Sequence, residues 1–321
     1  LMLPVVLATV SPGVASPLDG RTADTYPLVS AQAALPAEEA GLSDGAVVVG
    51  VVSEGEARAY PIRALWHEGL HTVNDRLGGE PVGVSMCPLA GVGIAFDRRL
   101  DGEVLELGTL IAVDRGSLAL YDGASHSRWN LVTGRAVDGP RAGEQLERVS
   151  SLFTTWGRWR SLHPETTVYA DPKGAGEEFV LDGERLRLMI VTGTGPPRPR
   201  DWVIGLQGQG HVGAFLGRDL ASRRIAHLDF EGRPLIAFMT EDVTTTVVWE
   251  RTVDGRPLTF AAEGDRMVDA ETGSSWQPLT GRAESGPLRG QRLTPFPYVT
   301  GFWHAWKGHF PNSDVLSLRG E

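Results

Sequence analysis

The sequence predicts a mainly β protein: two tandem copies of one β-rich unit, barrel- or sandwich-like, each carrying short helices. Three observations predict it. The 321 residues include 40 Gly and 21 Pro, a composition that favours many short strands and turns over long helices. Val-rich runs such as 46–52 and alternating stretches such as "EVLELGTL", bounded by D-G or G-G pairs, read as hairpins. The third observation is an internal repeat.

"YDGASHSRWNLVTGRAVDGPRAGEQL" (121–146) reads like "VDAETGSSWQPLTGRAESGPLRGQRL" (268–293), which pairs Trp129 with Trp276, 147 positions further on. At the same offset Asp122 meets Asp269, Pro140 meets Pro287, and Trp156 and Trp159 meet Trp303 and Trp306. Upstream, 48–65 matches 203–220 and 96–107 matches 249–260. The chain therefore divides into an N-terminal segment (1–45), a first unit (46–172), a linker with connecting strands (173–200) and a second unit (201–317). Within the connection, "VTGTGPPRPRD" has the Pro/Gly composition of a linker. Two short helices interrupt the strands of the first unit. One runs from Pro61, well suited to a first helical position, to about Val73. The other is "TTWGRWRSLH", which ends before Pro164. Trp156 and Trp159 share a face of it at i, i+3, as Trp303 and Trp306 do in the second unit, and read as packing between helix and sheet.

Composition narrows the function classes. The apolar fraction of 41% and charged fraction of 22% are ordinary for a soluble globular protein. The net charge is -10, nearly all positive charge is Arg, and no basic block appears, so no nucleic-acid partner is expected. No apolar run approaches the ~18 residues of a spanning helix, so no membrane span is expected. One cysteine excludes an intrachain disulfide. The opening "LMLPVVLATVSPGVAS" reads either as an ordered first strand or as the apolar part and small-residue end of a secretory signal. A cytoplasmic location is favoured, with secretion expected if residues 1–16 are a signal remnant. Nothing in the pattern speaks to the oligomeric state.

Two motifs suggest ligand chemistry. "GQGHVG" sets Gly208, Gly210 and Gly213 at G-x-G-x-x-G spacing, with Asp229 and Glu231 where a ribose-binding acid would stand. The matching positions of the first unit are Ser53, Gly55 and Arg58, so a hairpin turn is the expectation. "HEGLH" sets His67 and His71 at i, i+4 with Glu68 available as general base, the spacing of a zinc pair. No third ligand follows in the extended pattern, and Gly69 weakens the helix by ~1 kcal/mol relative to Ala. Two solvated histidines on a surface helix are therefore expected.

The stretch "EARAYPIRALWHEGLHTVNDRLGGEPVGVSMCPLAGVGIAFDR" resembles the DUF3179 family, bacterial and archaeal proteins of unknown function. The family pattern runs G-E-A-R-A-Y-P, W-H-E-I-V-N-D, G-G-x-P-V, C-P-L-C-G and F-D-R. It continues with M-Y-D-R-x-T-x-S-x-W and T-G-x-A-x-x-G-P-x-x-G, which here become "LALYDGASHSRW" and "TGRAVDGPRAG". The resemblance covers residues 27–172 well and the second unit more loosely. It implies that His67 and Glu68 are shared with the family and that His71 lies in an insertion. It also implies redox or soft-metal chemistry at C-P-x-C, where some members carry selenocysteine. This chain has Cys87-Pro88-Leu89-Ala90. A dithiol cycle needs both sulfurs, so Cys87 either works alone or the pocket has another use.

Polar groups gather in the first unit. His67, Tyr60, Asp75 and Tyr121 are the candidate catalytic groups; Arg58, Glu68, Asn74, Cys87, Asp97, Arg98 and Asp122 are the candidate substrate-binding groups. The second unit sets Gly213, Phe215, Thr240, Glu250 and Val268 against Arg58, Tyr60, Cys87, Asp97 and Tyr121, so any active site is expected in the first. His67 suits a general base because its unperturbed pKa lies near neutrality. Arg58 would stabilise developing negative charge, or simply pair with Asp97 or Asp122. Asp75 would organise the turn at "NDRLGG".

Three functions remain open at this point. The first is a cofactor-independent enzyme whose partner is a small, largely apolar organic molecule, promoting cyclisation, isomerisation or rearrangement by orientation and acid/base help. The second is a soft-metal or thiol protein holding copper or zinc on His67, Cys87 and Met86. Against it, adjacent residues on a strand point to opposite faces. The third is a non-catalytic binding or scaffold module.

Overall fold

The computed structural model describes residues 25–31, 33–66, 71–170 and 181–318. The protein is mainly β, and the five α-helices among these residues are short, the longest being Gly183–Val191. Three larger sheets occupy the first half. A five-stranded sheet runs in the order Ala34–Pro36, Thr167–Tyr169, Glu56–Pro61, Val47–Ser53, Ser151–Thr155. The second runs Arg148–Val149, Val92–Asp97, Glu80–Cys87, Thr72–Leu77, and the third Ala136–Asp138, Arg128–Asn130, Ser117–Asp122, Leu107–Asp114. The second half also has three larger sheets. Their orders are Tyr298–Phe302, Trp202–Gln207, Val212–Leu216, Asp314–Val315; then Ile225–Phe230, Arg233–Met239, Thr246–Glu250, Thr294–Pro295; then Phe260–Glu263, Arg266–Asp269, Ser275–Gln277, Arg282–Ser285. One core cluster joins Val49, Val51 and Tyr60 to Trp202, Ile204 and Phe215, so the halves share apolar packing.

Three local expectations change. The helix drawn from Pro61 to Val73 is a single turn, Ile62–Trp66, and Thr72–Leu77 is a strand. The cause is the G-G turn: Gly78 and Gly79 take positive φ (61° and 81°) and fold Thr72–Leu77 onto Glu80–Cys87, burying Val73 and Leu77. The segment expected as connecting strands contains the helix Gly183–Val191. Asp182 caps it by accepting from the Arg185 N–H at 2.8 Å, and Leu186 and Ile190 are buried one turn apart. Residues 25–36, assigned to a separate N-terminal segment, join the sheets of the first half through bridges Thr25 to Leu110 and Ser30 to Asn74 and through the strand Ala34–Pro36.

The tryptophans behave as the sequence suggests. Trp159 on the helix Trp156–Leu162 lies over Gly50, where a Cβ would come within 2.2 Å of the indole, and Trp306 on Trp303–His309 lies over Gly205 at the same 2.2 Å. Each indole N–H donates to a hydroxyl: Trp159 to Thr166 at 2.8 Å, Trp306 to Ser313 at 2.7 Å. Trp129 and Trp276 donate instead to Asp122 and Asp269 at 3.0 and 2.8 Å.

A buried polar network fastens the helix Trp303–His309 to the first half. The Asn130 side-chain oxygen accepts the N–H groups of Val132 (3.0 Å) and Thr133 (2.8 Å), which turns its NH2 toward His309 Nδ1 at 2.8 Å and Asp114 Oδ2 at 3.0 Å. An NH2 group only donates, so Nδ1 carries a lone pair. Nε2–H then donates to the Ser117 hydroxyl at 3.0 Å, and that hydroxyl faces the Asp114 carbonyl at 3.3 Å. This is the wrong tautomer for activating a serine. The network is a fastener built around a neutral imidazole.

Burial holds His309 neutral down to about 4, with Asp114 pulling its pKa up and Arg115 pushing it down, and burial likewise takes His71 to about 4 from an ordinary 6.5. The unfolded chain binds protons near 6.5 and the folded chain only near 4. Stability is therefore full above about pH 6.5 and falls as pH drops toward 4, by up to about 3 kcal/mol per histidine. Urea unfolding between pH 7.5 and pH 4.5 should show this loss, and His309→Gln should reduce its pH slope; a flat profile contradicts the fastener.

Candidate functional site

Alternation along Glu56–Pro61 puts Arg58 and Tyr60 on one face, and the strand Thr72–Leu77 presents Asp75 to both. Asp75 Oδ2 accepts from Arg58 Nη1 at 2.6 Å and from the Tyr60 hydroxyl at 2.7 Å; Oδ1 accepts the Arg76 N–H at 2.7 Å. Arg58 Nε donates to Thr167 at 3.0 Å. Tyr60 is fully buried and Asp75 nearly so. Burial, then the Asp75 charge, pushes the Tyr60 phenol well above its ordinary range. Burial pulls the Arg58 guanidinium down, but the hydrogen bond and charge of Asp75 outweigh it. These three candidates come together, with the pairing partner of Arg58 being Asp75 rather than Asp97 or Asp122. The result is a clasp across three strands. Its proton is committed to Asp75, and Asp75 sits within a strand instead of organising a turn.

The other candidates are spread out and bonded to the frame. Arg98 donates to three carbonyls: Leu105 at 2.5 Å, Val82 at 3.1 Å and Asp75 at 3.1 Å. Asn74 exchanges two 2.8 Å bonds with the Leu107 backbone and donates to the Val29 carbonyl at 3.1 Å. Tyr121 donates to the Tyr26 carbonyl at 2.8 Å. Asp97 pairs at the surface with Arg99 at 2.7 Å. Asp122 accepts from the Ser125 N–H and hydroxyl, both at 2.6 Å, as well as from Trp129. Cys87 is 0% exposed and accepts the Leu118 N–H at 3.2 Å, and burial raises its thiol pKa.

Two of the three metal-alternative residues are described, and their sulfurs stand apart. Cys87 packs with Val92 and Leu118 while Met86 packs with Val49 and Val84, so the two sulfurs lie in different core clusters and do not converge. His67 and Glu68 lie outside the described residues. His71 is 7% exposed rather than solvated, because Tyr26 packs against it with ring centroids 5.6 Å apart. His71 itself takes φ 37°, outside the helical region, and the rest of HEGLH lies outside the described residues. Among the described residues no group of three or more His, Cys, Asp or Glu could hold a metal ion. The G-x-G-x-x-G stretch is a hairpin loop whose N–H groups at Gln209, Gly210 and His211 bind the Glu231 carboxylate at 3.0, 2.7 and 2.6 Å.

A sizeable opening lies elsewhere. A cleft of about 700 Å³ lies between the halves, walled by Thr155 and the helix Trp156–Leu162, by Glu184 and Arg187 of the connecting helix, and by Asp242 and Gln277. Some of its charges are matched: Arg160 pairs with Asp44 at 3.0 Å, and Arg158 with Asp242 and Asp265 at 2.9 Å each. Among the described residues, Arg187, Glu184, the Thr155 hydroxyl and the Gln277 NH2 have no partner. Thr155 is nonetheless 7% exposed.

The family model described as "Protein of unknown function (DUF3179)" matches residues 24–313. The chain belongs to that family. Neither the curated proteins nor the solved structures gave a match. In this DUF3179 chain the clasp and the cleft both fall within the matched span. Position 90, where the sequence motif would carry a second sulfur, is closed over by the second half: Ala90 is 0% exposed and its carbonyl accepts the Phe302 N–H at 2.7 Å. No helix among the described residues is long and apolar enough to cross a membrane. No cleft residue was on the candidate list of the sequence. The signal that could have found the cleft is the 147-residue offset, which sets Leu162 against His309 and Gln277 against Asn130.

Two outcomes test this account. Asp75→Ala strands a mostly buried guanidinium and a buried phenol, and should cost about 3–5 kcal/mol in urea unfolding; wild-type stability would contradict the clasp. The Cys87 thiol should stay unreactive toward an aromatic disulfide reagent until the protein unfolds, and fast native reaction would contradict its burial.

Proposed function

We propose that this protein is a binding module for a small polar molecule held in the cleft between its halves. The observation that carries the reading is the cleft itself: about 700 Å³, within the range of ligand sites, with charged and hydrogen-bonding groups left without partners. Unpaired groups on a shaped surface are the usual means by which a pocket orients a ligand. The acid/base enzyme expected from the sequence finds less support. It needs Tyr60, Asp75 or Tyr121 to exchange a proton with a ligand, and each is already bonded within the frame. The wall of the cleft sets charged and hydrogen-bonding side chains beside the apolar Leu162 and Leu279, and those unpartnered charges fit a polar ligand better than the largely apolar molecule first expected.

A thermal-shift screen of sugars, amino acids, carboxylates and phosphates tests the reading on the full chain. At least one class should raise the unfolding midpoint by a few degrees. Leu162→Trp, which fills the cleft, should abolish the shift, while Tyr60→Phe should keep it. No shift from any class would contradict the proposal, as would a shift that survives Leu162→Trp and is lost in Tyr60→Phe.

A further inference from the structure

Two of the contacts between the halves are built alike. At one, the helix Trp303–His309 faces the sheet holding Asn130; at the other, the helix Trp156–Leu162 faces the sheet holding Gln277. Leu162 stands 147 positions before His309, and Gln277 stands 147 after Asn130. In the first place His309 fills the junction by accepting from Asn130, and the cavity lined by Val132, Ala305 and Trp306 is only about 10 Å³. In the second place the amide is set the same way. Gln277 Oε1 accepts the Leu279 N–H at 2.8 Å, as Asn130 Oδ1 accepts that of Val132 at 3.0 Å, so the Gln277 NH2 is turned from its own loop toward the junction. Leu162 has no ring nitrogen to receive it, and this junction stays open at about 700 Å³. An oriented donor beside an open cleft is available to an acceptor brought from outside.

The charges narrow the ligand. Arg158, Arg160, Asp44 and Asp242 are already in ion pairs, which leaves one cation, Arg187, and one anion, Glu184. The free charge of the cleft therefore sums to zero, and a net anion or net cation would meet one complementary and one repelling group. We propose that the cleft takes a small zwitterion of the amino-acid class. Its carboxylate accepts from the Gln277 NH2 and Arg187, its ammonium donates to Glu184, and the nearly buried Thr155 hydroxyl supplies a further hydrogen bond. This rests on the reading of the cleft as the binding site.

Titration calorimetry on the full chain tests it, with free L-amino acids as zwitterions, acetate and succinate as anions, and putrescine as the cation. At least one amino acid should bind, and the single-sign probes should bind at least about tenfold more weakly. Arg187→Ala, Glu184→Ala and Gln277→Leu should each weaken the amino acid by about tenfold or more, while Arg289→Ala, an exposed change on the second half, should not. All three altered groups lie outside the core, so folding is kept. An anion or amine that binds as tightly as any amino acid overturns the ligand class and leaves the cleft as a binding site. Heat from no probe, together with no shift in the wider screen, overturns the cleft and the class together.

Discussion

The arrangement depends on two tryptophans laid flat on strand glycines. Trp159 on Gly50 and Trp306 on Gly205 leave no room for even a methyl group, since a Cβ would sit 2.2 Å from either indole. Each contact seats a helix too short to be stable alone and holds it at one height and angle on its sheet. The far ends of those helices carry Leu162 and His309, the residues that decide what happens where the halves meet. A glycine-to-alanine change at either strand would shift the helix and, with it, one of the two junctions.

From the same seating the junctions diverge. His309 brings a ring nitrogen to Asn130 and a proton to Ser117, and closes the gap with hydrogen bonds that depend on its neutrality. Leu162 brings only a branched apolar side chain, and its neighbourhood is braced instead by Arg158 reaching Asp242 and Asp265 and by the buried hydroxyl pair Thr154–Thr245 at 2.7 Å. One contact is therefore closed by hydrogen bonds to a neutral imidazole, and the other is an open, charged cleft. The clasp of Arg58, Tyr60 and Asp75 has a separate role: it ties sheets within the first half.

Much of the fold was legible in the sequence. The D-G and G-G turns, the alternating strands and the tryptophan spacing are local signals, and local geometry carries them. The helix after Pro61 is shorter than its local signals predict because the hairpin at Gly78–Gly79 draws Thr72–Leu77 into a strand, and Gly183–Val191 is helical where strands are expected because Asp182 caps it. Of the candidate site, Arg58, Tyr60 and Asp75 do converge, as strand alternation allows. Sequence alone could not say that Asp75 saturates both partners, nor that Arg98, Asn74 and Asp122 turn back onto the frame, because pairing between distant strands has no local signature. The cleft was hidden for a different reason. It exists where position 162 brings no ring nitrogen to the junction, and an unfilled volume leaves no motif.

The central claim is that the open junction, and not the clasp, receives the ligand. A crystal structure of the protein soaked in a mixture of L-amino acids tests it most directly. The account predicts density between the Gln277 amide and the Arg187–Glu184 helix face, with Arg58, Tyr60 and Asp75 unchanged. Density at Arg58 and Tyr60 beside an empty cleft would contradict it.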